Sequence, residues 1–298
     1  MRSVVVSHIG ANLGSSLFDR LGVVVTTNTM IIDGKPIDTR TFKSTAAIDT
    51  SIANAKEFPH ILSTSAGEYV SVFDALRQNY DEIMCVVSSR NSIGGYEAAR
   101  AASRALKAVG KETNVHIIDS GSIDLGVGLV VLFTTASVKA GYGGERLVEA
   151  AEAFGKSARF VFSPQSLDYL VKGGRANFLA AQAAELLGRR VLLAHFGGTS
   201  HKLGTFGARQ DPVTAITHDI VGNIGRGKKV WAAVMHGANI ADAERLADRL
   251  RNVFDVQLLL TREVSPGVYL HGGSGVVGAC VMPLDKLPWP LVVPELVR

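Results

Sequence analysis

Short β-branched runs alternate with longer helical patterns through the first half of the chain. Val4–Val6, Val23–Thr26, Ile83–Ser88 and Val115–Ile118 read as buried strands. Between them, Gly67–Asn79 sets Val70, Phe73, Ala75 and Leu76 near helical spacing. Gly94–Val109 does the same with Ala98, Ala99, Ala102, Leu106 and Val109. This alternation predicts a parallel sheet covered on both faces. Leu125–Ala140 is a long apolar stretch, yet it falls short of the roughly 20 residues that span a bilayer and reads as a buried helix.

Gly141–Gly144 punctuates the chain, Glu145–Gly155 resumes as a helix, and the pattern then changes character. Ala158–Phe162, Val191–His195, Val230–Met235, Val256–Leu260 and Gly267–Leu270 read as strands. Helices are predicted at Gln165–Leu170, Asn177–Leu186, Thr214–Ile224 and Ile240–Val253. The expectation is an α/β protein of two domains, a parallel-sheet domain over 1–155 and a second α/β domain over 156–298.

Composition changes this picture little. The chain has 298 residues, enough for two modest cores, with 47% hydrophobic and 19% charged residues, as in ordinary globular proteins. The net charge is +4 and no basic run is interleaved with aromatics, so nucleic acid receives no positive support. Cys85 and Cys280 sit in apolar strand-like runs and read as reduced buried thiols. Met1–Gly10 opens on a strand-like Val4-Val5-Val6 without the apolar core of a signal peptide, which points to the cytoplasm.

Four polar, glycine-containing segments carry the candidate chemistry. Ser63-Thr64-Ser65-Ala66-Gly67-Glu68 leads into a helix, where hydroxyls cap backbone N–H groups or, with the helix dipole, receive a carboxylate or phosphate. Ser88-Ser89-Arg90-Asn91-Ser92-Ile93-Gly94-Gly95-Tyr96 follows a strand, the place where open parallel sheets bind ligands. Asp119-Ser120-Gly121-Ser122 also follows a strand, and Asp119 alone reads as a turn residue or cap. Leu167-Asp168-Tyr169-Leu170-Val171-Lys172-Gly173-Gly174-Arg175 ends a helix at a Gly-Gly pair. It serves either as a C-cap with basic residues answering the dipole or as a turn that aims the Arg175 fork at an anion.

Gly273–Gly278 forms a formal GxGxxG, but it runs into Ala279–Met282 rather than a helix and is not a dinucleotide loop. His195 and His201 lack a nearby acidic partner, so a metal site is not expected. No GxSxG elbow, phosphate loop or paired-cysteine site occurs, and no nucleophile–base pair stands assembled in the sequence. Anion receivers are present without catalytic machinery.

Taken in order, these segments resemble the DegV family of bacterial fatty-acid-binding proteins from about residue 4 to residue 283. Leu167–Arg175 is similar to the family's Leu-x-Tyr-Leu-x-Lys-Gly-Gly-Arg, and His271–Gly275 to its His-Thr-Gly-Pro-Gly. Val115–Ser120 with Gly126-Val127-Gly128 resembles its Ile-Asp-Ser strand and glycine helix, and Asp33-Gly34 its Asp-Gly turn. Two loops depart from the pattern. The segment after Thr64-Ser65 is about three residues shorter, and Ser88–Tyr96 is one residue longer. Where the family has Thr-Asp-Ser near its N-terminus, this chain has Ser7-His8-Ile9.

The resemblance implies a long-chain fatty acid buried between two domains. It also implies a carboxylate met by Thr64, Ser65 and the Ser88, Ser89, Ser92 and Gly94 loop, with Arg175 and His271 close by. It implies a non-catalytic carrier without cofactor or metal, presenting its acid to a separate ATP-dependent fatty-acid kinase. The rival enzyme reading is a hydrolase or transferase acting on a carboxylated or phosphorylated metabolite through Ser88–Ser92 or His271. A third reading is a divergent member that works through protein contacts alone.

Overall fold

The computed structural model describes every residue except 1, 93, 112–113, 175–188, 208–209, 286 and 291–298. The chain divides into two compact units. Residues 1–29 and 62–157 build the first, and residues 30–61 and 158–285 build the second. Residues 30–61, expected within a 1–155 domain, thus leave the first unit and return to it after Ile61. The excursion escaped prediction because its strands are short and its helix has no strong apolar stripe.

In the first unit, strands β1 (Ser3–His8), β2 (Val24–Thr26), β6 (Glu82–Val87) and β7 (Val115–Asp119) form a sheet in the order β2-β1-β6-β7. All three pairings are parallel, with Val6 opposite Cys85, His8 opposite Thr26 and Val87 opposite Asp119. Parallel strands need crossover connections, and the helices between them cover the sheet's faces. Val4, Val6, Ile83, Cys85 and Val87 meet Tyr69 and Phe73 of α3 (Ala66–Leu76) and Ala99, Ala102 and Leu106 of α4 (Gly95–Ala108). The alternate positions Val5, Met84 and Val86 are equally buried. Helix α5 (Asp124–Lys139) contacts β1, β6 and α6 (Gly144–Lys156) and is buried all round from Asp124 to Ser137, as the apolar run demanded. Gly128 permits its approach, since a Cβ there would stand 2.6 Å from the Ala11 carbonyl oxygen. Trp289, from the tail, donates its indole N–H to Ser137 and stacks on Tyr142.

The second unit carries a six-stranded sheet in the order β10-β9-β8-β13-β11-β12. Its strands are β8 (Arg159–Ser163), β9 (Arg189–Phe196), β10 (Thr199–Gly207), β11 (Lys229–His236), β12 (Asp255–Glu263) and β13 (Val277–Pro283). Only β11 and β12 pair in parallel. Helices α8 (Pro212–Ile224) and α9 (Ile240–Val253) bury Val213, Ile216, Ile220, Ala243, Leu246 and Leu250 against Val161, Ala232 and Ala279. The excursion adds helix α2 (Thr45–Asn54) and strands β3 (Thr29–Ile32), β4 (Lys35–Asp38) and β5 (His60–Leu62), in sheet order β4-β3-β5. Asp33 and Gly34, both at positive φ, turn β3 into β4 as a two-residue hairpin loop requires.

One strand expectation is overturned. Gly267–Leu270 lies inside helix α10 (Pro266–Gly272), because Pro266 at its start has the backbone angle and missing N–H that suit a first helical turn. Helix α7 (Asp168–Lys172) is shorter and later than the helix expected over Gln165–Leu170. The helix expected over Asn177–Leu186 lies outside the described residues.

Candidate functional site

Because β1, β2, β6 and β7 run the same way, His8, Thr26, Val87 and Asp119 end them on one side of the first unit. A small cavity of about 10 Å³, close to the minimum for one water, opens there among His8, Asn28, Ser63, Thr64, Tyr69, Val87, Ser88 and Gly95. Each wall comes from a different strand end or from the start of α3 or α4, as expected for the ligand crevice of an open parallel sheet.

Ser88 Oγ lies 3.0 Å from Nε2 of His8, and both residues are buried. The other ring nitrogen, Nδ1, is also buried and has no hydrogen-bond partner. Burial drops the His8 imidazole to about 4, so the ring is neutral at physiological pH. Gly10 makes room for it, since a Cβ there would stand 2.8 Å from His8 Nδ1 and 2.8 Å from the Asn28 amide nitrogen. Asn28 is held by its neighbour Thr27, whose backbone N–H and hydroxyl each donate to the Glu68 carboxylate at 2.8 Å.

The predicted loops divide between this cavity and structural work. Thr64 lines the cavity, but its hydroxyl donates to the Thr27 carbonyl at 2.7 Å and faces the Thr26 hydroxyl at 2.8 Å. Ser65 caps α3, its Oγ accepting from the Glu68 N–H. Ser89 Oγ accepts from the Asn91 N–H, and Ser92 donates to the Ser89 carbonyl, so both hold their own loop in shape. Gly94 precedes α4 as its N-cap, and Gly95 lines the cavity.

Arg90, the cation of the serine loop, donates through Nε to Asp119 at 2.5 Å and lies over the Tyr96 ring. Asp119 in turn accepts from the Gly121 N–H. The second and third polar segments are therefore bound to each other, and the pairing with Asp119 keeps Arg90 firmly protonated.

In the second unit, the two glycine turns interlock. A Cβ on Gly173 would stand 2.5 Å from Nδ1 of His271, and one on Gly273 would stand 2.4 Å from the Tyr169 ring. Gly173 has an ordinary φ of −77°, so close approach and not backbone conformation explains its place. Asp49 of α2 completes the cluster, accepting from Tyr169 at 2.7 Å and from Tyr269 at 2.6 Å. His271 thus packs on the glycine turn that precedes Arg175, while Arg175 itself lies outside the described residues.

Of the predicted site residues, the cavity brings together Thr64 and Ser88 beside the Gly94-Gly95 pair. Sequence reasoning missed His8, Asn28 and Tyr69, while Ser63 belongs to the first predicted segment. For His8 the signal was present: a residue ending one parallel strand neighbours the residue ending the next, so residues 8 and 88 were due to meet. Their contact also corrects the expectation that no nucleophile–base pair is assembled. Among the described residues, no group of three or more metal-ligating side chains occurs, and no helix is long and apolar enough to cross a membrane.

Comparison with known proteins agrees with this frame. A DegV domain-containing protein of Clostridium acetobutylicum is 26% identical over 225 residues, covering 76% of this chain and 79% of the relative. One from Streptomyces coelicolor is 26% identical over 282 residues, covering 93% and 97%. The fold is similar to that of a DegV family protein from Thermus thermophilus described for its fatty acid binding. That likeness has a TM-score of 0.87 at 21% identity, over 95% of this chain and 100% of the other. The family model described as "Uncharacterised protein, DegV family" matches residues 5–284. On that match over nearly its whole length, the chain belongs to the DegV family.

Proposed function

We propose that the protein is a non-catalytic carrier that binds a long-chain fatty acid and presents its carboxylate to a separate ATP-dependent fatty-acid kinase. The observation that carries this reading is the cavity at the ends of the parallel strands. Its polar lining is hydroxyl, imidazole and amide, groups that hydrogen-bond a carboxylate without performing chemistry on it. The likeness to a fold described for fatty acid binding supports the same reading. With burial of each CH₂ of an acyl chain contributing about 0.8 kcal/mol, the tail dominates affinity and the cavity orients the head group. Displacement of a fluorescent fatty-acid probe by oleate tests binding. For the partner, acyl phosphate should form only when carrier, oleate, ATP and the kinase are combined, and kinase turnover indifferent to the carrier would refute that step.

The hydrogen bond between Ser88 and His8 favours a second reading, a hydrolase or transferase with Ser88 as nucleophile and His8 as base. Two observations weigh against it. No carboxylate orients Nδ1 of His8 among the described residues, and an imidazole held at about 4 is a feeble base at neutral pH. A screen of ester and phosphate substrates discriminates: the carrier is inert, and the enzyme loses turnover in Ser88→Ala.

A further inference from the structure

We propose that His8 is the proton acceptor of the head-group site, so that the protein takes up one proton from solvent with each carboxylate it binds. The inference rests on the fatty-acid reading and assigns its head group a counter-charge.

Three features of the cavity lead to it. The ring is buried, yet it lines a cavity where strand ends and helix starts leave room for a guest atom. One ring nitrogen is hydrogen-bonded to Ser88 and the other is unpartnered. An uncharged ring can donate from only one of its two nitrogens, whereas imidazolium donates from both. With Nε2–H donating to Ser88 Oγ the serine hydroxyl is free to donate to a carboxylate oxygen, and imidazolium alone adds to this a second donor at Nδ1 and a positive charge to meet the anion. The balance is simple: carboxylate, neutral His8 and one proton become carboxylate and imidazolium, with no other bond made or broken.

The surroundings of His8 leave that role to it. From α3 it faces Tyr69, whose phenol burial pushes far above its ordinary value and which therefore stays neutral. Cys85, on β6, is likewise pushed up by burial. Glu68 is turned to Thr27, and Asp124, on α5 against β1, accepts from the Asn12 amide and the Leu125 N–H. Ser88, Thr64, Ser63 and Asn28 do not titrate. The low proton affinity of the ring follows from its burial, and an incoming anion in a poorly solvated cavity reverses it. The space also fits, since a cavity of about 10 Å³ is the size of one water and can take one carboxylate oxygen.

The test is calorimetric titration of the full chain with decanoate at pH 6.5 in phosphate and in Tris, buffers of different ionisation heat. Wild type should take up close to one proton per ligand, and its affinity should rise by on the order of 50-fold from pH 7.5 to pH 5.5, as uptake of about one proton over two pH units requires. His8→Asn should bind decanoate roughly tenfold more weakly, without proton uptake and without that pH slope. Binding by wild type with equal heats in both buffers overturns the inference and spares the fatty-acid reading. Proton uptake that persists in His8→Asn also overturns it, by placing the proton on the ligand or on another group. If wild type shows neither decanoate heat nor displacement of a fatty-acid probe, the fatty-acid reading itself fails. Should His8→Asn not fold, His8→Gln takes its place in the same pair of titrations, with the same two outcomes.

Discussion

The Ser88 hydroxyl lies 3.0 Å from Nε2 of His8, joining the ends of two adjacent parallel strands. The burial of that ring ties the stability of the first unit to pH. Burial lowers the His8 imidazole from 6.5 to about 4 in the folded protein, so the unfolded chain binds its proton more readily. The stability due to neutral His8 is therefore full above pH 6.5 and is lost as pH falls towards 4, by about 3 kcal/mol in all. Ligand-free wild type should show a falling melting temperature across that window, and His8→Asn should flatten the fall. An unchanged slope in the variant would mean that other groups govern acid unfolding.

Thr64 and Ser88 separate stability from binding. The Thr64 hydroxyl donates to the Thr27 carbonyl and is buried, so Thr64→Val should cost about 1–2 kcal/mol of stability while binding of a fatty-acid probe changes little. Ser88→Ala should do the reverse, weakening probe binding severalfold while stability moves less. Paired melting curves and probe titrations on the two variants read this difference directly.

Gly173 tests the interlocked turns of the second unit. A Cβ at this position would meet His271 Nδ1 at 2.5 Å and the Tyr169 carbonyl oxygen at 2.9 Å, so Gly173→Ala should destabilise by about 1–3 kcal/mol. Adding His271→Ala should recover part of that loss, because the imidazole is one of the two obstacles. Strict additivity in this double-mutant cycle, followed by chemical denaturation, would show that the turn relaxes away from the histidine.

Asp49 accepts from two tyrosines, and burial and the neighbouring carboxylate push the Tyr169 phenol from 10 to about 12. Folding thus favours the protonated phenol. Its contribution is present below pH 10 and is lost as pH rises from 10 towards 12. Tyr169→Phe should cost about 1 kcal/mol at neutral pH and soften the alkaline fall in melting temperature. Asp49→Ala should cost more than either single Tyr→Phe change, because it leaves two phenols without their acceptor.

Much of the scaffold was legible in the sequence because buried parallel strands and amphipathic helices carry strong periodic signals. Val4–Val6 and Ile83–Val87 are uninterrupted apolar runs, and both became central strands. The failures have local causes. Val268-Tyr269-Leu270 reads as strand by side-chain type, yet Pro266 and the Gly272-Gly273 pair bracket it as a short helix. Strand β10 has few apolar residues and exposes much of its length, so its pairing with β9 has no alternation to announce it.

The site was harder to read than the scaffold. Ser65, Ser89 and Ser92 have the residue types of an anion receiver, but each is engaged in capping or turn bonds that type alone does not reveal. His8 carried its signal only in its place at a strand end, and that signal has meaning only once the strand beside β1 is known. Glycines told part of the story: the Gly173-Gly174 pair marked a turn correctly, while the reason for Gly173, a histidine 98 positions away, is purely tertiary.

The central claim, that this DegV protein carries a long-chain fatty acid, is tested most directly by native mass spectrometry of the full chain purified from cells, followed by melting with added oleate. The account predicts a mass shift of one long-chain fatty acid on the folded protein and a higher melting temperature for delipidated protein once oleate is added. A bare polypeptide mass, with melting unmoved by oleate, would contradict it.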